Sequence, residues 1–201
     1  IDMIAGPSEI LIVADGTCQP ENIAADLLSQ AEHDKMASAV LVTDSMELAL
    51  RVRDQLEVQI PLLPRQEIAR ASIDRNGKII VAKDNLLLAI DIANEIAPEH
   101  LELCVDNPFD YLDRIRNAGS VFMGKYCPEA LGDYFAGPNH TLPTGGTARF
   151  SSPLSVDDFV KKSQFTYYTR AALERVAGKV AYFAGREGLD AHARSAVVRD
   201  R

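Results

Sequence analysis

Gln30 and His33 close the stretch "ENIAADLLSQAEHD", one helical turn apart and beside Glu32. At i and i+3 they share one helical face. An imidazole nitrogen and an amide oxygen there could bind one cation, and imidazole suits zinc. A solvated helix end, where the dipole favours a charged histidine, fits the same residues. Glu99 and His100, in "APEH", are adjacent acid and base groups able to move a proton. A loop glutamate and a histidine capping carbonyls would look the same. Asp133 follows Gly132 in "GDYFAGPNHTLPTGG". A carboxylate on such a loop can approach a metal, or merely close a turn.

Glu187 and His192 stand five apart across Gly188 in "REGLDAH", so they do not share a helical face. A bend at Gly188, or another part of an assembly, would have to bring them together; otherwise they are exposed helix residues. Ser8, in "GPSE", could donate to a ligand or only cap its turn. His140 completes the four histidines without a role of its own.

Alternating periodicities position these groups. Short apolar runs predict strands over Glu9–Asp15, Ser38–Asp44, Gly77–Lys83, His100–Asp106 and Gly119–Gly124. Helical patterns lie between them. One opens at Pro20 and runs to about Asp34, with proline tolerated in the first turn. Others cover Ser45–Ile60, with Ser45 as N-cap, then Arg65–Ile73, Asp84–Ala97 and, briefly, Pro108–Asn117. Strands separated by helices imply a mostly parallel sheet, with ligands beyond the carboxyl ends of its strands. The Glu99–His100 corner precedes its strand, which counts against a pocket there. Lys125–Ser155 is rich in Gly, Pro, Thr and Ser and predicts a long functional loop. Helical patterns resume from Val156. The expected division is an α/β part over 1–154 and a helical arm over 155–201.

The bulk numbers set limits. The chain has 201 residues, 47% hydrophobic and 25% charged, as expected of a globular protein. A net charge of −8 argues against nucleic acid and anionic membranes, which select clustered Lys and Arg. The apolar runs are too short to span a bilayer. Three widely spaced cysteines without a Cys-x-x-Cys imply a reducing compartment, so a cytoplasmic location is expected. No Gly-x-Gly-x-x-Gly and no phosphate loop occurs, so no nucleotide site is predicted. The chain enters a strand-like run almost at once from Ile1 and reads as part of something longer.

The motifs together, "DMIAGPSEILIVAD", "AADLLSQAEHD", "APEHLEL", "AGSVFMG", "LGDYFAGPNHTLPTGGTARFSSPLSVDDF" and "REGLDAHARS", resemble the histidinol dehydrogenase family in order and spacing. The likeness covers essentially the whole chain and matches the C-terminal half of the family's usual length. It implies an incomplete Rossmann-like α/β domain, completed by upstream residues, plus a small C-terminal helical domain. It implies an NAD-dependent four-electron alcohol dehydrogenase that oxidises L-histidinol through the aldehyde to L-histidine, with two NAD+ and one zinc per subunit. Zinc would lie on Gln30, His33, Asp133 and His192. Substrate contacts would come from Ser8, Gln30, His33, His100, Asp133, Glu187 and His192. His100 would be the proton acceptor and Glu99 would activate water. The cofactor would be held mainly by the family's other half, leaving no cofactor-binding residue in this segment. The arm would cross to the partner of a homodimer. Two alternatives are a related dehydrogenase of another alcohol, such as a hydroxy-sulfonate, and a non-catalytic zinc- and substrate-binding fragment.

Overall fold

The computed structural model describes residues 5–83 and 85–200. Strands β1 (Glu9–Ala14), β2 (Ser38–Thr43), β3 (Lys78–Val81), β4 (His100–Cys104) and β5 (Ser120–Met123) form one sheet. Its order is β3-β2-β1-β4-β5 and every neighbouring pair is parallel. The order reverses between β1 and β4, which is the switch point of a doubly wound α/β fold.

The two faces of β1 feed two cores. Ile10, Ile12 and Ala14 pack with Ile23 and Leu27 of α1 (Pro20–Ala31) and with Leu48, Val52 and Leu56 of α2 (Met46–Gln59). α3 (Gln66–Asn76) adds Ala69 to the same side. Leu11 and Val13 pack instead with Ala89, Ile90 and Ala93 of α4 (Leu86–Ile96). A strand covered on both faces must be apolar throughout, which is why β1 reads as an unbroken hydrophobic run. β4 follows the same alternation. Leu101 and Leu103 join the α4 side, whereas Cys104 joins the α1 side. His100 and Glu102, in register with Cys104, therefore lie on the α1 face.

Local signals set the helix ends. Ser45 caps α2, its Oγ accepting the Leu48 N–H at 3.2 Å. Asn85 caps α4 through the Leu88 N–H at 2.9 Å; the expected start at Asp84 lies outside the described residues. α4 closes on Ala97 at φ 56°, a left-handed cap that glycine usually fills. That turn delivers the chain directly into Pro98–Glu99–His100.

Two stretches differ from expectation. The loop after Lys125 contains a short helix, α5 (Glu129–Tyr134), which is too short to show a periodicity. The helix expected from Val156 is only a 3-10 turn over Val156–Phe159. Val156, Phe159 and Val160 all remain exposed, so no apolar burial offsets the cost of helix nucleation there.

The chain divides into two compact units that part between Phe159 and Val160, with the expected boundary at 154/155. The second unit contains α6 (Arg170–Arg186) and α7 (Asp190–Val197). Gly188, at φ +74°, adopts the left-handed turn between them. The Leu189 N–H reaches the Ala184 carbonyl at 2.8 Å and the Gly188 N–H reaches Gly185 at 3.1 Å. This is a Schellman motif, which glycine accommodates without strain. Among the described residues no helix is long and apolar enough to cross a membrane.

Candidate active site

His100 opens β4 and is 4% exposed. Its Nδ1 lies 2.9 Å from the Glu9 carbonyl. A carbonyl can only accept, so Nδ1 carries the proton and the neutral ring leaves its Nε2 lone pair free. Nε2 faces Glu129 Oε1 at 3.7 Å, beyond hydrogen-bond length, and neither atom has a hydrogen-bond partner among the described residues. Ligand atoms of His100, Glu129 and Asp133 all lie within 4.8 Å of one another.

Gln30, 1% exposed in the last turn of α1, belongs to the same environment. Its amide lies close enough to ease the charge of Glu129, yet neither its Oε1 nor its Nε2 has a hydrogen-bond partner among the described residues. Four orphaned polar atoms in one buried place are costly for a protein alone. They suit a polar or cationic guest.

His33 sits on the turn just past α1, its N–H bonded to the Gln30 carbonyl at 3.1 Å. It is exposed, as is His140. The charges of both are felt at His100, as is that of Asp133. Asp133, His33 and His140 are thus near enough to the His100 ring for their charges to bear on it, and Gln30 lies near Glu129. Burial lowers the His100 pKa from its usual value, with Asp133 opposing. The free Nε2 therefore persists at neutral pH.

Glu99 is tied to Glu9 reciprocally. The Glu9 N–H donates to Glu99 Oε2 at 2.9 Å, and the Glu99 N–H donates to Glu9 Oε2 at 3.3 Å. Glu9 Oε1 also accepts the Gly145 N–H at 3.1 Å, joining the later loop to this corner. Glu9 thereby fixes the His100 tautomer through its carbonyl and the Glu99 carboxylate through its N–H. Desolvation raises Glu99 to about 7, and the charges of Glu9, Glu129 and Asp133 push the same way. Glu129 is likewise raised to about 7, by burial first and then by Asp133. Ser8, half-buried ahead of β1, gives its carbonyl to the Ser38 N–H at 3.0 Å.

α5 carries Glu129 and Asp133 one turn apart. Its approach to the sheet depends on Gly132, where an added Cβ would meet Phe122 Cε1 at 2.6 Å and Cζ at 2.9 Å. The Phe122 ring in turn lies 6.0 Å from the His100 ring, centroid to centroid. Gly132→Ala is therefore expected to cost about 1–3 kcal/mol through overpacking. A lowered urea midpoint would register it; an unchanged midpoint would mean that α5 has slack.

In the second unit, Glu187 and His192 line one shallow pocket with Lys179, Phe183 and Leu189. The Gly188 bend supplies the juxtaposition that helical spacing denies them.

A cleft also lies at the carboxyl ends of β1, β4 and β5, lined by Thr17, Cys18, Asn22, Cys104, Asp106 and Lys125 among others. Its lysine is already engaged, lying 3.4 Å from Asp15 and bonded to Asp106. Burial pushes the Cys18 thiol up to about 12, so it stays protonated and is a poor nucleophile. The orphaned polar atoms gather at the opposite, amino edge of the sheet.

The family model for histidinol dehydrogenase matches residues 1–200. Histidinol dehydrogenases of Syntrophotalea carbinolica and Bacillus cereus are 59% and 58% identical over 199 residues, 99% of this chain and 46% of each relative. The crystal structure of histidinol dehydrogenase from Elizabethkingia anophelis superposes with a TM-score of 0.88 at 41% identity, covering 98% of this chain and 45% of that one. The chain spans about half the length of the curated relatives it matches. With a matching fold, a match along its whole length and the same motifs in order, this chain belongs to the histidinol dehydrogenase family.

Proposed function

We propose that this chain supplies the metal- and substrate-binding half of a zinc-dependent enzyme that oxidises L-histidinol through the aldehyde to L-histidine, consuming two NAD+. The observation that carries the reading is the buried set of Gln30, His100 Nε2 and Glu129 Oε1, unpartnered beside Asp133. Imidazole and oxygen donors fit zinc, although an amide ligand is unusual. Gln30, His33 and Asp133 would hold the ion, joined by His192 from a second copy. Bound zinc would supply a template for the imidazole and amino nitrogens of the substrate rather than an activated water.

The chain's own groups account for the proton transfers. His100 Nε2 accepts the hydroxyl proton while the carbinol hydride leaves for NAD+. The Glu9 carbonyl keeps the opposite nitrogen protonated, so the acceptor face cannot swap. Glu99, poised near 7, takes a proton from the water that adds to the aldehyde. The hydrate then loses a second hydride and a proton to give the carboxylate. Glu187 holds the substrate imidazole N–H or its ammonium. Homodimerisation is supported by the aromatic surface of the second unit, where Phe165, Tyr182 and Phe183 are exposed.

The test is NADH formation by the complete reading frame with L-histidinol, before chelation, after it, and after zinc is restored. Two NADH per histidinol, lost with the metal and recovered with zinc, is the expected result. No turnover at full zinc occupancy would overturn the substrate assignment.

A further inference from the structure

We propose that Glu102, in the middle of β4, is a positioning residue that caps α5 from the sheet and so aims Glu129 and Asp133 at the site; this rests on the proposed zinc and substrate reading. Glu102 is 0% exposed. Its Oε1 accepts the Glu129 N–H at 2.7 Å, the first amide of α5. That helix has only six residues, and its N-cap position is Pro128, which makes no side-chain cap. A helix so short has little stability of its own. Its apolar side chains give little anchorage, since Leu131 is 36% and Tyr134 83% exposed. A second polar contact at the same residue brings the Ser29 hydroxyl to 3.2 Å from Glu129 Oε2. α5 is therefore held by polar ties at its first residue and by the packing of Gly132 against Phe122. Asp133 follows one turn later on the same face.

The other oxygen of Glu102, Oε2, accepts from the Cys104 thiol at 3.6 Å, and the Asp26 carboxyl, one turn before Gln30 on α1, lies close enough for its charge to bear on Glu102. Burial first, and then the neighbouring charge of Asp26, raise the Glu102 carboxyl well above the usual carboxylate range, which favours its protonated form. A protonated Glu102 keeps Oε1 as the acceptor of the Glu129 N–H and carries on Oε2 a proton that Asp26 can accept. A glutamine has this same pattern: its Nε2 donates to Asp26 and its Oε1 accepts from the Glu129 N–H. The pair forms a second tier of polar contacts beneath Gln30 and His100, joining α1, β4 and α5.

This makes an unusual expectation for a buried glutamate: the charge-neutral amide replaces it, and an apolar isostere does not. In the complete protein, deuterium exchange of the α5 backbone and zinc retention against a chelator are compared for wild type, Glu102→Gln and Glu102→Leu. The glutamine variant is expected to match wild type in both. The leucine variant is expected to exchange its α5 amides faster and to release zinc about 10–100-fold more readily, the usual scale for loss of a group that orients a ligand. Should Glu102→Leu not fold, Glu102→Asp, one methylene short of the Glu129 amide, carries the same comparison. Equal α5 exchange in all variants, or a glutamine variant as impaired as the leucine one, would overturn the proposal. Asp133→Asn serves as the reference. If it holds zinc as tightly as wild type, the zinc assignment fails, and Glu102 is judged on α5 exchange alone.

Discussion

Replacing His100 with alanine is expected to leave zinc in place and to slow oxidation of the alcohol by about 10²–10⁴-fold, the usual contribution of a positioned proton acceptor. The geometry gives the reason. Nδ1 is committed to the Glu9 carbonyl at 2.9 Å, so Nε2 is the available lone pair, and none of the described residues bonds to it. Such an atom can take a proton or a metal. The cluster of ligand atoms that gathers among the described residues, from His100, Glu129 and Asp133, would suit a cation on geometry alone. The ligand set drawn from the family motifs uses Gln30, His33 and Asp133 instead, and leaves His100 free for the proton. Metal analysis separates the two. Retained zinc with slow turnover in His100→Ala, against depleted zinc in His33→Ala, supports the proton role. Zinc lost from His100→Ala and kept in His33→Ala would move the ion onto the triad and leave the hydroxyl proton to another base.

What the sequence could express was local. The strand at Glu9–Ala14 and the helix from Pro20 are visible because burial on both sides, or on one face, dictates composition over consecutive residues. Gln30 with His33 and Glu99 with His100 stand out for the same reason: each pair lies within one turn or one peptide bond. The supports of the site are non-local and escape such a reading. Glu9 reads as the polar start of a strand, yet it binds Glu99 and Gly145, residues 90 and 136 positions away. Glu102 lies inside the strand run "HLELC" with nothing in its neighbours to mark it, yet it is fully buried beneath α5. Glu129 lies in a Pro- and Gly-rich stretch whose six-residue helix is too short for a periodic signal. The signal that could have found it is Pro128 ahead of Glu-Ala-Leu, a helix start. The rule that ligands sit at the carboxyl ends of parallel strands pointed away from Glu99 and His100. A cleft does occur at those ends, but the unpartnered groups gather at the amino edge, where α1, α5 and the Glu99 corner converge.

Gln30→Leu tests that convergence with two effects of opposite sign. The amide of Gln30 is buried at 1% exposure, with neither polar atom bonded among the described residues. Leaving a buried polar group unsatisfied costs about 1–3 kcal/mol, and a leucine of similar size removes that cost. The metal-free variant is therefore expected to be more stable than metal-free wild type by about that amount. If the amide oxygen is a zinc ligand, the same change weakens zinc by more than the roughly 10–100-fold typical of an outer group. The stabilisation that zinc gives wild type, which grows with the ratio of free metal to dissociation constant, should then be largely absent. Melting curves with chelator and with zinc measure both effects in one experiment. A variant that is more stable without metal but no longer responds to zinc would identify Gln30 as a residue kept for binding at a cost to folding. A variant destabilised without metal would mean that the amide is structural, bonded to Glu129 through a small shift of either side chain. A variant that still gains full stability from zinc would remove Gln30 from the ligand set and leave His33 and Asp133 to hold the ion.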